Sequence, residues 1–149
     1  MERVLIAAAL VALALVVAAV LQRRRPAAPT QARWTVPAQL DRADFDGPDV
    51  PWLVAVFTST SCDSCAQMLE KAAVLASADV RVQDVTFQDR KDLHQRYAVD
   101  VVPLLVVADP AGVVRASFIG TASATDLWAA VAEARHPGAS PEPGLGHQT

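Results

Sequence analysis

The two cysteines of this chain, and there are no others, lie three positions apart in Ser61-Cys62-Asp63-Ser64-Cys65. Sulfurs at that spacing meet across one helical turn, close enough to join as a disulfide that reopens to a dithiol. The preceding run, Trp52 to Ser59, is too short for a helix and rich in β-branched and aromatic residues, which predicts a buried central strand. After the pair, Met68, Leu69, Ala72, Leu75 and Ala76 recur at helical spacing. The cysteines therefore sit where a strand hands over to a helix. Unpaired N–H groups and the positive end of the helix dipole stabilise a thiolate there, so Cys62 is expected to attack and Cys65 to resolve. Spacing alone also admits soft Cu(I) coordination by the same two sulfurs.

Further along, Val80 to Phe87 alternates as a second strand, and Asp89 to Tyr97 reads as a short charged helix with His94 among its surface charges. Val101 to Val107 is another buried strand with Pro103 near its entrance, where a missing N–H costs least. Asp109-Pro110-Ala111-Gly112 is turn chemistry that joins it to Val113–Ile119 as an antiparallel hairpin. Ser123 with Asp126 three residues on predicts the start of a last helix, which Leu127, Trp128, Val131 and Ala132 line on one face as far as Arg135. Before the first strand, Trp34 to Val36 is expected to be a short edge strand and Leu40 to Phe45 a helical turn. Trp34, Trp52 and Trp128 read as packing residues and Tyr97 as the edge of the core.

Charge divides the chain unevenly. Five of its 13 basic residues and one of its 16 acids lie before Trp34, leaving an acidic domain behind a basic collar. That argues against a nucleic-acid partner. Val4 to Leu21 is an apolar run of 18 residues without a charge, glycine or proline, near the lower limit for a membrane-spanning helix. A cleaved signal peptide is the competing reading. Against it, the run is long, Arg23-Arg24-Arg25 follows directly, and the nearest small-x-small site, Thr30-Gln31-Ala32, lies beyond them. The expected organisation is an N-terminal flank at 1–3, a transmembrane anchor at 4–21, a basic proline-containing linker at 22–33, a domain at 34–135 and a disordered tail at 136–149. The arginines after the span favour the cytoplasmic face for the domain, with the extracytoplasmic face as the alternative.

The order strand, C-x-x-C, helix, strand, helix, Val-Pro, hairpin, helix resembles the thioredoxin-like superfamily from about Leu53 to Arg135. Arg96-Tyr97-Ala98-Val99-Asp100-Val101-Val102-Pro103 is similar to the family segment leading into its cis proline, and Phe118-Ile119-Gly120 to its late glycine. The resemblance implies an α/β thioredoxin-like fold, a central mixed sheet flanked by helices, behind the N-terminal transmembrane helix. It also implies a cis peptide before Pro103, with Val102 and Pro103 as the docking platform for an extended substrate beside the sulfurs. No organic cofactor and no metal are implied.

Departures from the family pattern concern tuning. Asp63 beside Cys62 opposes thiolate formation and so favours a reducing thiol, and Ser64 replaces the usual proline. The buried acid that the family keeps six residues before the first cysteine is Val56 here. Asp84, near the position of the family's partnering lysine, is the remaining candidate carboxylate. His94, His136 and His147 are scattered and do not suggest a four-ligand zinc site. The functional expectation is a membrane-tethered thiol–disulfide oxidoreductase that acts on protein thiols and disulfides with a separate redox partner. A thioredoxin-fold Cu(I)-binding or assembly module is the alternative.

Overall fold

The computed structural model describes residues 34–138 and the backbone of His147 and Gln148. The apolar run 4–21, the linker and most of the expected tail lie outside the described residues. Among the described residues, no helix is long and apolar enough to cross a membrane.

Five strands form one sheet: β1 (Trp52–Thr58), β2 (Val80–Thr86), β3 (Leu104–Ala108), β4 (Val114–Ile119) and β5 (His147–Gln148), in spatial order β2-β1-β3-β4-β5. Helices α1 (Cys65–Ala73), α2 (Lys91–Arg96) and α3 (Ala124–Arg135) flank it. β1 pairs parallel with β2 and antiparallel with β3, and β3–β4 is the expected antiparallel hairpin. β1 is buried along almost its whole length. That burial is why it reads as a continuous apolar run rather than an alternating one.

The two-residue period of the strands divides the core between the sheet faces. Val54 and Val56 of β1 pack with Met68 and Ala72 of α1 and with Leu127 and Val131 of α3. Leu53, Ala55 and Phe57 pack on the opposite side with Leu93 and Tyr97 and with Leu40 and Phe45 from the N-terminal segment. Ser123 starts α3 as its pattern predicts: its side chain accepts from the Asp126 N–H, and the Asp126 carboxylate accepts from the Ser123 N–H.

Several local expectations change. Trp34 to Val36 forms no strand. The N-terminal segment instead meets the hairpin at Gln39, bridged to Val113, with the Leu40 N–H donating to the Gly112 carbonyl at 2.8 Å. The helical turn is a single 3-10 turn, Arg42–Asp44. Its Arg42 is buried, donating to the carbonyls of Val50, Pro51 and Asp109 and so tying three segments together. Trp34 and Trp128 are exposed, at 51% and 56%, and do not pack in the core, whereas Trp52 lies against it. On α3 the inward residues are Leu127, Ala130 and Val131. Helix α1 stops at Ala73, and Ala76 is exposed. His147 and Gln148, within the segment expected to be disordered, pair parallel with Ser117 and Phe118 of β4.

Candidate active site

Strand register builds the site. Phe57 pairs with Leu104, and Leu104 with Ile119, so the end of β1, the start of β3 and the end of β4 lie at the same end of the sheet. Cys62 follows β1 by four residues, Pro103 immediately precedes β3, and Gly120 immediately follows β4. Two hydrogen bonds tie these loops together. The Gly120 N–H donates to the Pro103 carbonyl at 2.9 Å, and Lys71 Nζ of α1 donates to the Ala122 carbonyl at 2.8 Å.

Cys62 and Cys65 are joined as a disulfide with their Cα atoms 5.5 Å apart. Cys65 begins α1 and is buried, while Cys62 lies in the loop before it and is half-buried. The more accessible sulfur is thus the one expected to attack. Ser64 is the N-cap of α1, and its Oγ lies 3.7 Å from Cys62 Sγ, where its hydroxyl can donate to a thiolate. Asp63 is exposed. The Val102–Pro103 peptide is cis, as the resemblance implies.

The loop that carries Cys62 is braced from the turn that follows β2. Its Cys62 N–H donates to the Ser59 carbonyl at 3.1 Å, while the Gln88 side chain donates to Ser59 Oγ and accepts from the Thr60 N–H, each at 3.1 Å. Sequence reasoning missed Gln88, since only the fold brings it beside Ser59.

Asp84 pairs across the sheet with Val56 and so sits on the face that carries α1. Its two oxygens accept from Thr58 Oγ1 at 2.6 Å and Thr86 Oγ1 at 3.0 Å. His94 is not a surface residue of a charged helix. It is 3% exposed, bonded at 2.7 Å through Nε2 to the Val85 carbonyl, and set edge-on to Phe57 and Phe87. The carbonyl can only accept, so Nε2 carries the proton. Tyr97 donates to Asp44 and accepts from the Asp41 N–H. Burial, followed by the Asp44 hydrogen bond, raises its pKa above the usual phenol value. Among the described residues, no three His, Cys, Asp or Glu side chains cluster as a metal site.

No protein-family profile matches the sequence, and no curated protein matches it. Solved structures do. The germline-specific thioredoxin Deadhead from Drosophila melanogaster is 27% identical with a TM-score of 0.50, over 58% of this chain and 83% of its own. Mitochondrial thioredoxin 3 from Saccharomyces cerevisiae, in its oxidised form, is 28% identical with a TM-score of 0.45, over 52% of this chain and 74% of its own. A point-mutant thioredoxin from Halobacterium salinarum is 23% identical with a TM-score of 0.47, over 54% of this chain and 71% of its own. The Cys62–Cys65 pair, placed at the strand-to-helix junction of such a sheet, supports thiol–disulfide oxidoreductase chemistry in general terms. The described residues form a thioredoxin-like domain.

Proposed function

We propose that the chain is a membrane-tethered thiol–disulfide oxidoreductase that exchanges disulfides with protein partners. The reading rests above all on one arrangement: half-buried Cys62 and buried Cys65 at the β1–α1 junction, at the end of the sheet where Val102–Pro103 enters β3. In the reduced form the Cys62 thiolate attacks one sulfur of a partner disulfide. The Cys62–substrate bond forms, the partner's S–S bond breaks, and its second sulfur leaves as a thiolate that takes up a proton. Cys65 gives its proton to solvent and attacks Cys62 Sγ, releasing the remaining substrate thiolate and closing Cys62–Cys65. Two electrons pass to the partner, and an external dithiol restores the pair.

Val102 and Pro103 are the docking platform in this reading, along which an extended partner segment lies next to the sulfurs. Ser64 favours the Cys62 thiolate through its hydroxyl, and Asp63 opposes it through its charge. Opposed effects at the same sulfur suit a reducing pair rather than a strong oxidant. Turnover of a protein disulfide such as insulin, driven by a small dithiol and lost in Cys62→Ser, is the expected result. Stoichiometric Cu(I) binding without turnover would favour the assembly module instead.

Residues 4–21 tether the domain in this proposal, and the arginines that follow favour the cytoplasmic face over the extracytoplasmic one. A membrane-impermeant thiol reagent applied to intact cells tests this. Reduced Cys62 should be protected until the cells are opened, and labelling in intact cells would put the domain on the other side.

A further inference from the structure

β2 is the outermost strand on one side of the sheet, and its backbone divides between two directions. The Trp52 N–H donates to the Asp79 carbonyl and the Phe87 N–H to the Thr58 carbonyl, each at 2.9 Å. The alternation of a parallel ladder therefore turns the backbone groups of Arg81, Gln83 and Val85 toward β1, and those of Val82 and Asp84 outward. Val80 closes one end of this edge by exchanging hydrogen bonds with Ser77, and the Thr86 carbonyl closes the other by accepting from the Asp89 and Arg90 N–H groups. Between them, the N–H and C=O groups of Val82 and Asp84 have no partner among the described residues. The strand expected at Trp34 to Val36 does not form and so does not cover them. We infer that the free edge of β2 is a docking site for an extended segment of a partner polypeptide, which adds to the sheet with an acidic side chain on Arg81 and an aliphatic one beside it.

The backbone sets the place, since an open edge is a template for one more strand. Side chains set the chemistry. A cavity of about 330 Å³ lies at the Val80 end of the edge, lined by Val50, Ala76, Ala78, Val80 and Val82 together with Arg81. The aliphatic lining gains by being covered. Arg81 is exposed and makes no ion pair or hydrogen bond among the described residues, so an acid opposite it gains an unopposed cation. Successive side chains of a strand point to opposite faces. A segment whose acid faces Arg81 therefore places its next residue on the face of Val80 and Val82, over the aliphatic part of the cavity.

Charge also decides between occupants. Residues 3–33 of this chain contain five arginines and no acid, so they cannot answer Arg81. The one acid after Gly138 is Glu142, five residues before His147, which pairs with β4 on the other side of the sheet. Five residues reach at most about 18 Å, whereas a strand added outside β2 stands five strand spacings, about 24 Å, from β5. A second copy fits no better. Two β2 strands paired about a two-fold axis run antiparallel with their faces preserved, so facing residues share parity. Arg81 would then meet Gln83, Val85 or another Arg81, but never Asp84. The remaining occupant is a different polypeptide.

Amide hydrogen exchange of the full chain tests the inference, with the capped peptide Val-Glu-Val-Thr-Val-Thr as probe. Without peptide, the Val82 and Asp84 amides should exchange faster than those of Gln83 and Val85 by about tenfold or more. Peptide at about 1 mM should slow Val82 and Asp84 by about tenfold. The counterpart with Lys in place of Glu should bind about threefold more weakly or worse, and Arg81→Glu should reverse that order. Val82→Pro removes an N–H that β1 does not use and should abolish the slowing at Asp84. Slow exchange of Val82 and Asp84 before any peptide is added would show the edge already covered by this chain or a copy of it, and overturns the inference. So does the absence of slowing at about 1 mM peptide, or an order of the two peptides that Arg81→Glu leaves unchanged.

Discussion

Thr58 Oγ1, in a residue only 3% exposed, donates a 2.6 Å hydrogen bond to Asp84 Oδ1 on the neighbouring strand. The bond crosses the β1–β2 pair on the face that carries α1, four residues before Cys62. Thr86 donates to the other carboxylate oxygen. Asp84 is thereby committed to joining the ends of two strands. Asp84→Ala leaves the Thr58 hydroxyl only its longer, 3.4 Å bond to Thr86 Oγ1 and should cost about 1 kcal/mol in denaturant unfolding. Asp84→Asn keeps an oxygen acceptor and should cost clearly less, with the pH profile of disulfide reduction unchanged. A displaced profile would instead assign the carboxylate to the sulfur chemistry.

Asp109 makes stability depend on acid. Burial pushes its pKa upward, but the Arg115 guanidinium and the N–H groups of Val113 and Ala111 outweigh burial and hold it below the usual carboxylate value. A carboxylate with a depressed folded pKa adds stability that is fully present above its unfolded pKa, about 4, and is lost as pH falls through the folded value. Unfolding curves of the wild type and Asp109→Asn should therefore differ most near neutrality and converge below about pH 4. A constant difference across that window would deny Asp109 this role.

Gly112 is required by two independent features. Its φ is +80°, and a Cβ there would lie 1.9 Å from the Leu40 carbonyl oxygen, part of the backbone that pairs with the hairpin. Gly112→Ala should destabilise by about 2 kcal/mol or more, since both the backbone conformation and the contact must give way. Thermal unfolding measures it, and a change within a few tenths of a kcal/mol would contradict the close approach.

Asp63 tests the tuning of Cys62. Its carboxylate is exposed and therefore well screened. Removing the charge in Asp63→Asn stabilises the thiolate and should raise the reduction potential, by no more than about 30 mV. Equilibration with glutathione reads this directly. A lower potential in the variant would reverse the sign of the proposed effect.

Much of the site was legible because its parts are local in sequence. The spacing of Cys62 and Cys65, the apolar run before them and the Ser123–Asp126 box each identify an element from neighbouring residues. Packing across elements was not legible. His94 looks like one more polar residue in Lys91–Arg96, and only the approach of β2 and the two phenylalanines buries it. Arg42 is buried for a similar reason, because the carbonyls it serves come from separate loops. Trp128 misled in the opposite direction, since its size suggests a core residue while its position on α3 faces solvent. Gln88 carries no signal until Ser59 is brought beside it.

Trapping the mixed disulfide tests the central claim most directly. Cys65→Ser removes the resolving sulfur, so the variant, incubated with a disulfide-bearing polypeptide, should accumulate a covalent Cys62–substrate adduct that a small dithiol releases. Cys62→Ser under the same conditions should form none. Adduct formation through Cys65 in Cys62→Ser, or no adduct in Cys65→Ser, would contradict the assignment of Cys62 as the attacking sulfur.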